Sequence, residues 1–355
     1  MKKSICGLIL LFLISLMNLN AQWARTYGGG GSRDCAHSIK QTRDGGYIVA
    51  GVTGRESWFL KLFSTGAIEW QRSFGGSGYE YIKDIQQTSD DGYIVVGYTN
   101  SFPAGSDHSN VWILKLTTTG DIEWQKTYSG DNPAEAYSIK ETSDGGYVVA
   151  GYIVSYGSKN DAWILKLTTT GDIEWQKRYG TADWGEEAYS IQQTSDGGYV
   201  VAGQSYNWTW ILKLTSTGAI TWQKTYAGTE HGAAYSVQQT SDGGYIIAGY
   251  TDSFGAGCKD VWVLKLASTG SAEWQKTYGG SGYDHAYSIQ QTSDGGYIVA
   301  GYTQSFGAGE EDVWVLKLTS TGTIDWEKTY GGSESDIAYS IQQTSDGGYI
   351  VAGYT

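Results

Sequence analysis

Residues 288–332 read SIQQTSDGGYIVAGYTQSFGAGEEDVWVLKLTSTGTIDWEKTYGG. Four short runs within and beside it, 287–292, 297–303, 313–318 and 324–330, are rich in β-branched and aromatic residues and are bounded by Gly, Ser and Asp clusters. Each is too short for a stable helix, and their content favours strands, here called A, B, C and D. Between A and B, the sequence SDGG supplies glycine where a tight hairpin needs a positive φ. Between C and D, Gly322 suits the left-handed last position of a three-residue loop with a bulge.

The same phrase recurs along the whole chain. A tyrosine after the A–B turn falls at 47, 93, 147, 199, 245, 297 and 349. A tryptophan in strand D falls at 23, 70, 124, 175, 222, 274 and 326. A second tryptophan, opening the run W-[IVF]-L-K-L of strand C, falls at 58, 112, 163, 210, 262 and 314, one member fewer. The C–D turn also predicts a register. In the second repeat, Thr117 should face Asp121, Leu116 Ile122, Lys115 Glu123 and Leu114 Trp124. Lys61/Glu69, Lys166/Glu174, Lys265/Glu273 and Lys317/Asp325 repeat the opposite-charge pair, whereas Lys213 faces Thr221. Exposed pairs of this kind contribute only ~0.2–1 kcal/mol each, so they are read as marks of register on a solvated edge.

Antiparallel four-stranded repeats of about fifty residues are the signature of a β-propeller, in which each sheet hides its two apolar faces against its neighbours around a ring. The expected fold is therefore all-β: a seven-bladed β-propeller over residues 22–355, with the Trp and Tyr of strands C and D packing between blades. The run W-V-L-K-L-T-S-T-G-T-I-D-W at 314–326 resembles quinoprotein-type (PQQ-like) propeller repeats. The unit A-Y-S-I-Q-Q-T-S-D-G-G-Y-I-V-A-G-Y-T is similar to repeats of exported bacterial and archaeal propeller proteins (SBBP-like), and the resemblance spans residues 22–355. It implies the fold and no particular activity. The eight blades and cofactor-binding residues usual in quinoprotein dehydrogenases are not recognisable, and AGYT replaces the double glycine that closes strand B in kelch repeats.

The two ends belong together. Lys2 and Lys3 precede an almost wholly apolar run, 5–17, followed by Ala21, which reads as a cleaved export signal over residues 1–21. The apolar run is too short to span a bilayer, and no other stretch is apolar enough, so the expected product is exported to the periplasm, cell surface or medium as a monomer. The D-like strand 23–27 has no strand C before it, and the last repeat stops after strand B at Thr355. The N-terminal strand is thus expected to close the ring within a last blade that is one strand short, either by moving in against strand B or because the chain is truncated.

Formal net charge is −13, which argues against nucleic acid as a partner. Cys35 and Cys258 lie in distant repeats and are expected as free, buried thiols. The A–B and C–D turns are nearly invariant, whereas the B–C and D–A loops differ from repeat to repeat, which marks their rim as the interaction surface. Before strand A an acid recurs: Asp34, Glu80, Glu186, Asp284 and Asp336, with Glu135 one residue later and Glu230 earlier. Two readings are open: a carboxylate ring at the channel mouth, suited to Ca²⁺ or a cationic ligand, or acids that cap their own loops. Asp161, Asp260 and Asp312, ahead of strand C, favour capping. His231 and His285 lack a metal-ligand spacing, and no nucleophile elbow or phosphate loop is present. No cofactor is therefore expected beyond Ca²⁺ as the candidate ion. Phe102, Trp184, Trp208, Phe254 and Phe306 lie on the variable rim, where they either stack on a sugar or pack onto the blade. The resulting expectation is a non-catalytic binding or structural module for a surface glycan or protein. The alternative is a polysaccharide lyase or glycoside hydrolase using the channel-mouth carboxylates.

Overall fold

The computed structural model describes residues 9–14, 21–28, 34–102, 108–129, 132–155, 159–181, 184–226 and 231–355, with backbone alone for 9–14, 21 and 22. Blade 1 consists of Asp34–Gln41, Tyr47–Thr53, Glu56–Leu62 and Ile68–Phe74, in the order A-B-C-D. Five more blades of four consecutive strands follow, at 80–128, 134–179, 186–226, 232–278 and 284–330. The chain ends combine into one further sheet, in the order Ala21–Tyr27, Ile9–Ile14, Tyr349–Tyr354, Ile337–Gln343. The protein is an all-β propeller of four-stranded antiparallel blades.

That closing sheet corrects one expectation. Trp23–Tyr27 does join the blade begun by the last repeat, but it takes the outermost position. The apolar segment Ile9–Ile14 fills the place of strand C, pairing with Tyr349–Ala352 on one side and Ala21–Tyr27 on the other. The sheet is therefore neither three-stranded nor short of a strand. Six blades are continuous units, and this one is composite.

The strands follow the turn chemistry. Thr292 N–H donates to the Gly296 carbonyl at 2.9 Å, and Gly295 has φ +81°. At the second hairpin, Thr117 N–H donates to Asp121 O at 2.8 Å, and Leu116 faces Ile122 as expected. The register then shifts by one at Glu123, so that Trp124 faces Lys115 and Gln125 faces Leu114. This bulge re-aims Trp124 and gives the ladder its twist. The Lys115–Glu123 contact survives at 3.4 Å.

The strand-C lysines are not on a solvated edge. Lys61, Lys115, Lys166, Lys213, Lys265 and Lys317 are buried, and each Nζ meets the aspartate of its own A–B turn at 2.7–2.9 Å. Each also donates to the carbonyl of the following leucine, Lys213 to Leu214 at 3.1 Å for example. The aspartate in turn accepts Gly N–H and Thr hydroxyl bonds inside the turn, as Asp196 does from Gly198 and Thr194. These lysines staple strand C to the A–B hairpin, a role hidden in the sequence because the turn lies 17 to 25 residues away.

Among the described residues seven apolar clusters form, each drawn from two neighbouring sheets. Every strand-D tryptophan packs on the strand-B tyrosine of the next blade, from Trp23–Tyr47 round to Trp326–Tyr349, with ring centroids 5.8–6.1 Å apart. The indole also lies across the next C–D turn. A Cβ on Gly120, whose φ is +79°, would fall 2.6 Å from Trp70, so glycine is required there for both conformation and space. The strand-D tyrosine completes the contact: Tyr128 and Tyr179 donate to the carbonyls of Gly171 and Gly218 at 2.5 and 2.6 Å, and Tyr27 donates likewise to Gly66.

Strand A adds a polar seam. Gln239 N–H donates to the Gln192 side chain at 2.6 Å, while the Gln239 side chain accepts from Ser195 N–H at 2.8 Å. Ser190 Oγ accepts from Val237 N–H at 3.2 Å. The same bonds cross the junction between the chain ends: Gln41 N–H to Gln342 at 2.8 Å, Ser345 N–H to Gln41 at 2.8 Å and Ile39 N–H to Ser340 at 3.2 Å. The S-[IV]-Q-Q run of strand A is therefore a reciprocal inter-blade staple.

Blade 4 tests the lysine staple. Blade 4 carries Thr221 at the bulge where other blades carry an acid, so Lys213 relies on Asp196, whereas Lys166 has both Asp144 and Glu174. Asp196→Ala should therefore destabilise the fold by about 1–3 kcal/mol, the cost of stranding a buried donor, and clearly more than Asp144→Ala. Urea unfolding of the two variants provides the comparison.

Candidate functional site

Alternate residues of strand A face the axis of the ring. The tyrosine column contributes Tyr137, Tyr189, Tyr235, Tyr287 and Tyr339, each ring 5.0–5.2 Å from the next. His37 extends the series, 5.1 Å from Tyr339, and Lys83 occupies the remaining position. Below this layer the serine and glutamine side chains are committed to the staple. Together they line a central channel with a free volume of about 280 Å³. Burial raises the phenol pKa values in the tyrosine ring, so these hydroxyls stay protonated.

The repeat breaks on one side of this channel. Asp84 stands in the serine column, and Lys40 and Lys140 stand in the glutamine column. Asp84 accepts from Ser38 Oγ at 3.0 Å, Ile139 N–H at 3.2 Å and Lys140 Nζ at 2.5 Å. Burial pushes this carboxyl up, but Lys140 and Lys40 outweigh it and hold the pKa below the usual range. The Ile139 bond is the one a serine makes elsewhere, so the cluster is an ionic version of the same staple. Aligning the A strands column by column exposes these departures in the sequence.

The recurrent acids each bond within their own loop. Strand A begins earlier than its sequence pattern predicts, at Asp284 rather than residue 287 in blade 6, with a register shift between Ala286 and Ser288. A side chain on strand-B Gly301 would collide with the His285 carbonyl, so glycine accommodates the bulge. The acids then lie opposite the end of strand B, and Asp34, Glu80, Glu186, Asp284 and Asp336 are all buried. Glu80 accepts from Thr99 at 3.1 Å and Gly76 N–H at 3.2 Å, and Glu186 from Ser205 at 2.9 Å and Thr181 N–H at 3.2 Å. Asp34 and Asp284 bond Thr53 and Thr303 in the same way, and Asp336 accepts from Gly332 N–H at 2.9 Å. They cap their own loops, as Asp260 and Asp312 do for Gly257 and Ala308. Among the described residues, no three His, Cys, Asp or Glu side chains gather to hold a metal. Glu230 lies outside the described residues.

Glu135, one residue out of step with the other acids, lies beside Tyr137, Tyr152 and Lys83. Burial raises its pKa despite Lys83 and the Tyr152 hydroxyl, and Tyr137 Oη lies 3.4 Å away. Glu187 accepts from Tyr189 Oη at 2.8 Å and Asn160 Nδ2 at 2.6 Å. His285 is stacked between Tyr250 and Tyr302 at 4.4 and 4.9 Å, whereas His231 is exposed, so the two do not meet as a metal pair. Cys35 is partly buried with its thiol pushed up to about 12 by burial. Cys258 is exposed, contrary to the expectation for both thiols, because it sits in a B–C loop and not in a strand.

The rim aromatics divide. Phe102 and Phe306 lean on the strand-C tryptophans Trp112 and Trp314, at 6.0 and 5.5 Å, and Phe254 packs on the blade 4–5 core. Trp184 and Trp208 are exposed, and Trp184 lies 4.3 Å from the Tyr206 ring.

No family model and no curated protein sequence matches this chain. Solved structures do. A Lactobacillus plantarum protein covers 97% of the chain and 99% of its own length, at 10% identity and TM-score 0.60. The Pan2 WD40 domain of Neurospora crassa covers 90% of this chain and 88% of its own length, at 12% identity and TM-score 0.58. A puromycin hydrolase covers 94% of this chain but 53% of its own length, at 13% identity and TM-score 0.55. At these identities the likeness shows the propeller fold alone. Among the described residues, no helix is long and apolar enough to cross a membrane.

Two histidines, His37 and His285, set an acid limit. Burial lowers His37 well below the ordinary imidazole value, and burial with nearby Lys259 lowers His285 to about 3. The folded protein therefore binds fewer protons than the unfolded chain below about pH 6.5, and stability falls as pH falls from there. In a His37→Gln/His285→Gln variant, stability should decline less than in wild type between about pH 6.5 and pH 4. Thermal unfolding across that range checks the difference.

Proposed function

We propose that this protein is an exported, seven-bladed propeller of the PQQ-like and SBBP-like repeat type that acts as a non-catalytic binding module, its ligand engaging the rim of B–C and D–A loops. One observation carries the reading. Among the described residues the exposed aromatics Tyr79, Trp184, Tyr206, Trp208, Tyr283 and Phe306 lie on that rim, and Phe63 lies elsewhere. Exposed aromatic surface gathered on one face marks an interaction site, since rigid aromatic anchors contribute most to binding. The blade bodies repeat one set of staples, which leaves the loops as the part free to specialise. Removal of residues 1–21 on export would also take Ile9–Ile14 from the closing sheet. The ring would then be held there by Trp23 and Tyr27 on blade 1 and by the S-I-Q-Q seam.

A second reading has its own support: Glu135, with its raised pKa beside Lys83 and Tyr137, suits acid/base chemistry on a glycan entering the channel. Glycan and peptide arrays probed with the purified protein separate the two. Replacing Tyr79, Trp184, Trp208 and Phe306 together by Ala should weaken array binding at least roughly tenfold, with Phe63→Ala as the neutral control. Unchanged binding by the rim variant would refute the binding-module reading. Glycan turnover abolished by Glu135→Gln would establish the enzymatic one.

A further inference from the structure

The repeats serve as controls for one another at the foot of the variable rim. In blades 2, 5 and 6 the B–C loop opens with Ser-Phe, at 101–102, 253–254 and 305–306. The phenyl ring leans on the strand-C tryptophan, and its tip lies beside the second residue after the preceding strand D, Gly76 for Phe102 and Gly280 for Phe306. The serine holds the loop down: Ser305 Oγ donates to Asp284 at 2.6 Å and accepts from Gly282 N–H at 3.0 Å.

Blade 4 has no such loop. Strand B ends at Ser205 and strand C starts at Trp208, joined by Tyr206 and Asn207 alone, with Tyr206 held at φ +56°. The residues equivalent to Trp314 and Gly280 are Trp210 and Thr181, and they line an open cleft of about 490 Å³. Glu186 is already satisfied at its floor, because the Thr181 hydroxyl takes the place of the loop serine at 3.2 Å. What blade 4 lacks relative to blades 2, 5 and 6 is the ring. Trp184, Trp208 and the exposed Arg178 stand around the vacated place. Blade 1 shares the short turn but carries Glu56 where blade 4 has Trp208, so this aromatic frame is absent from its counterpart.

We propose that the blade 4 cleft is the docking site for an aromatic side chain of a partner polypeptide, seated on Trp210 as the loop phenylalanines seat on their own tryptophans. The proposal rests on the binding-module reading and gives it a place and a ligand class. The internal loops show that the frame accepts a phenyl ring carried on a Ser-Phe segment, which favours a peptide over a sugar. Arg178 at the mouth favours an acidic residue next to the aromatic, as Asp252 is next to Ser253-Phe254 in the chain's own loop.

The test uses the peptide TDSFGAG, the chain's own residues 251–257, titrated into the full protein with tryptophan fluorescence as the readout. Saturable one-to-one binding is expected, lost when the peptide's Phe is replaced by Ala. Trp208→Ala, an exposed position, should weaken it roughly tenfold. Replacing Tyr206-Asn207 by residues 304–311 should abolish it by supplying a phenylalanine in cis. The proposal is overturned if the peptide fails to bind at millimolar concentration, or binds the loop graft or Trp208→Ala as well as wild type. A glycan bound through Trp184 and Trp208 without peptide binding would also overturn it, while leaving the binding-module reading intact. Unchanged array binding by the four-residue rim variant would remove both.

Discussion

The fold depends on one contact made at every blade junction: the strand-D indole laid over the next blade's strand-B tyrosine and across its C–D turn. A four-stranded sheet of this composition cannot stand alone, since strands B and C are buried along nearly their whole length. Each junction therefore supplies the burial that each blade needs. The indole sets the distance between sheets, the turn glycine lets it approach, and the strand-D tyrosine hydroxyl fixes its angle through the turn carbonyl. The Ser-Gln-Gln seam does the same near the axis with hydrogen bonds. Closing the circle matters more than any one junction, because an open ring would leave two apolar faces in water.

Much of this was legible in the sequence. The Trp and Tyr series each had seven members because they are the two halves of one contact, so their count followed the junctions and not the complete blades. Turn glycines, strand order and the assignment of Trp23–Tyr27 to the last blade followed from local chemistry. What escaped were the non-local pairings. A lysine beside a glutamate eight residues on looks like a surface pair, yet its main partner is a turn aspartate brought back by the hairpin. The bulge at Glu123 changed the expected register, because a turn sets pairing only as far as the first irregularity. The acids before strand A recur in sequence, and what the sequence did not display is that each bonds the end of strand B or the loop beside it. The filling of the strand-C gap by Ile9–Ile14 was hidden because an apolar run near the start of a chain also reads as an export signal.

The division of labour between staples and loops has a functional consequence. Lysine clamps, glutamine seams and aromatic junctions recur from blade to blade in the blade bodies, so variation there is costly. The loops of one rim carry no such duty. Insertions, a two-residue turn in blade 4 and exposed tryptophans all fall there. The charged departures Asp84, Lys40 and Lys140 conform to the staple in ionic form.

Ring closure is the central claim, and amide hydrogen exchange reads it at the junction between the chain ends. The amides of Ile39, Gln41 and Ser345 bond to residues some three hundred positions away, in the same way that Val237, Gln239 and Ser195 bond across blades 4 and 5. A closed ring predicts protection of the first three comparable to that of the second three. Rapid exchange at Ile39, Gln41 and Ser345, with protection retained at Val237, Gln239 and Ser195, would show an open ring and contradict the account.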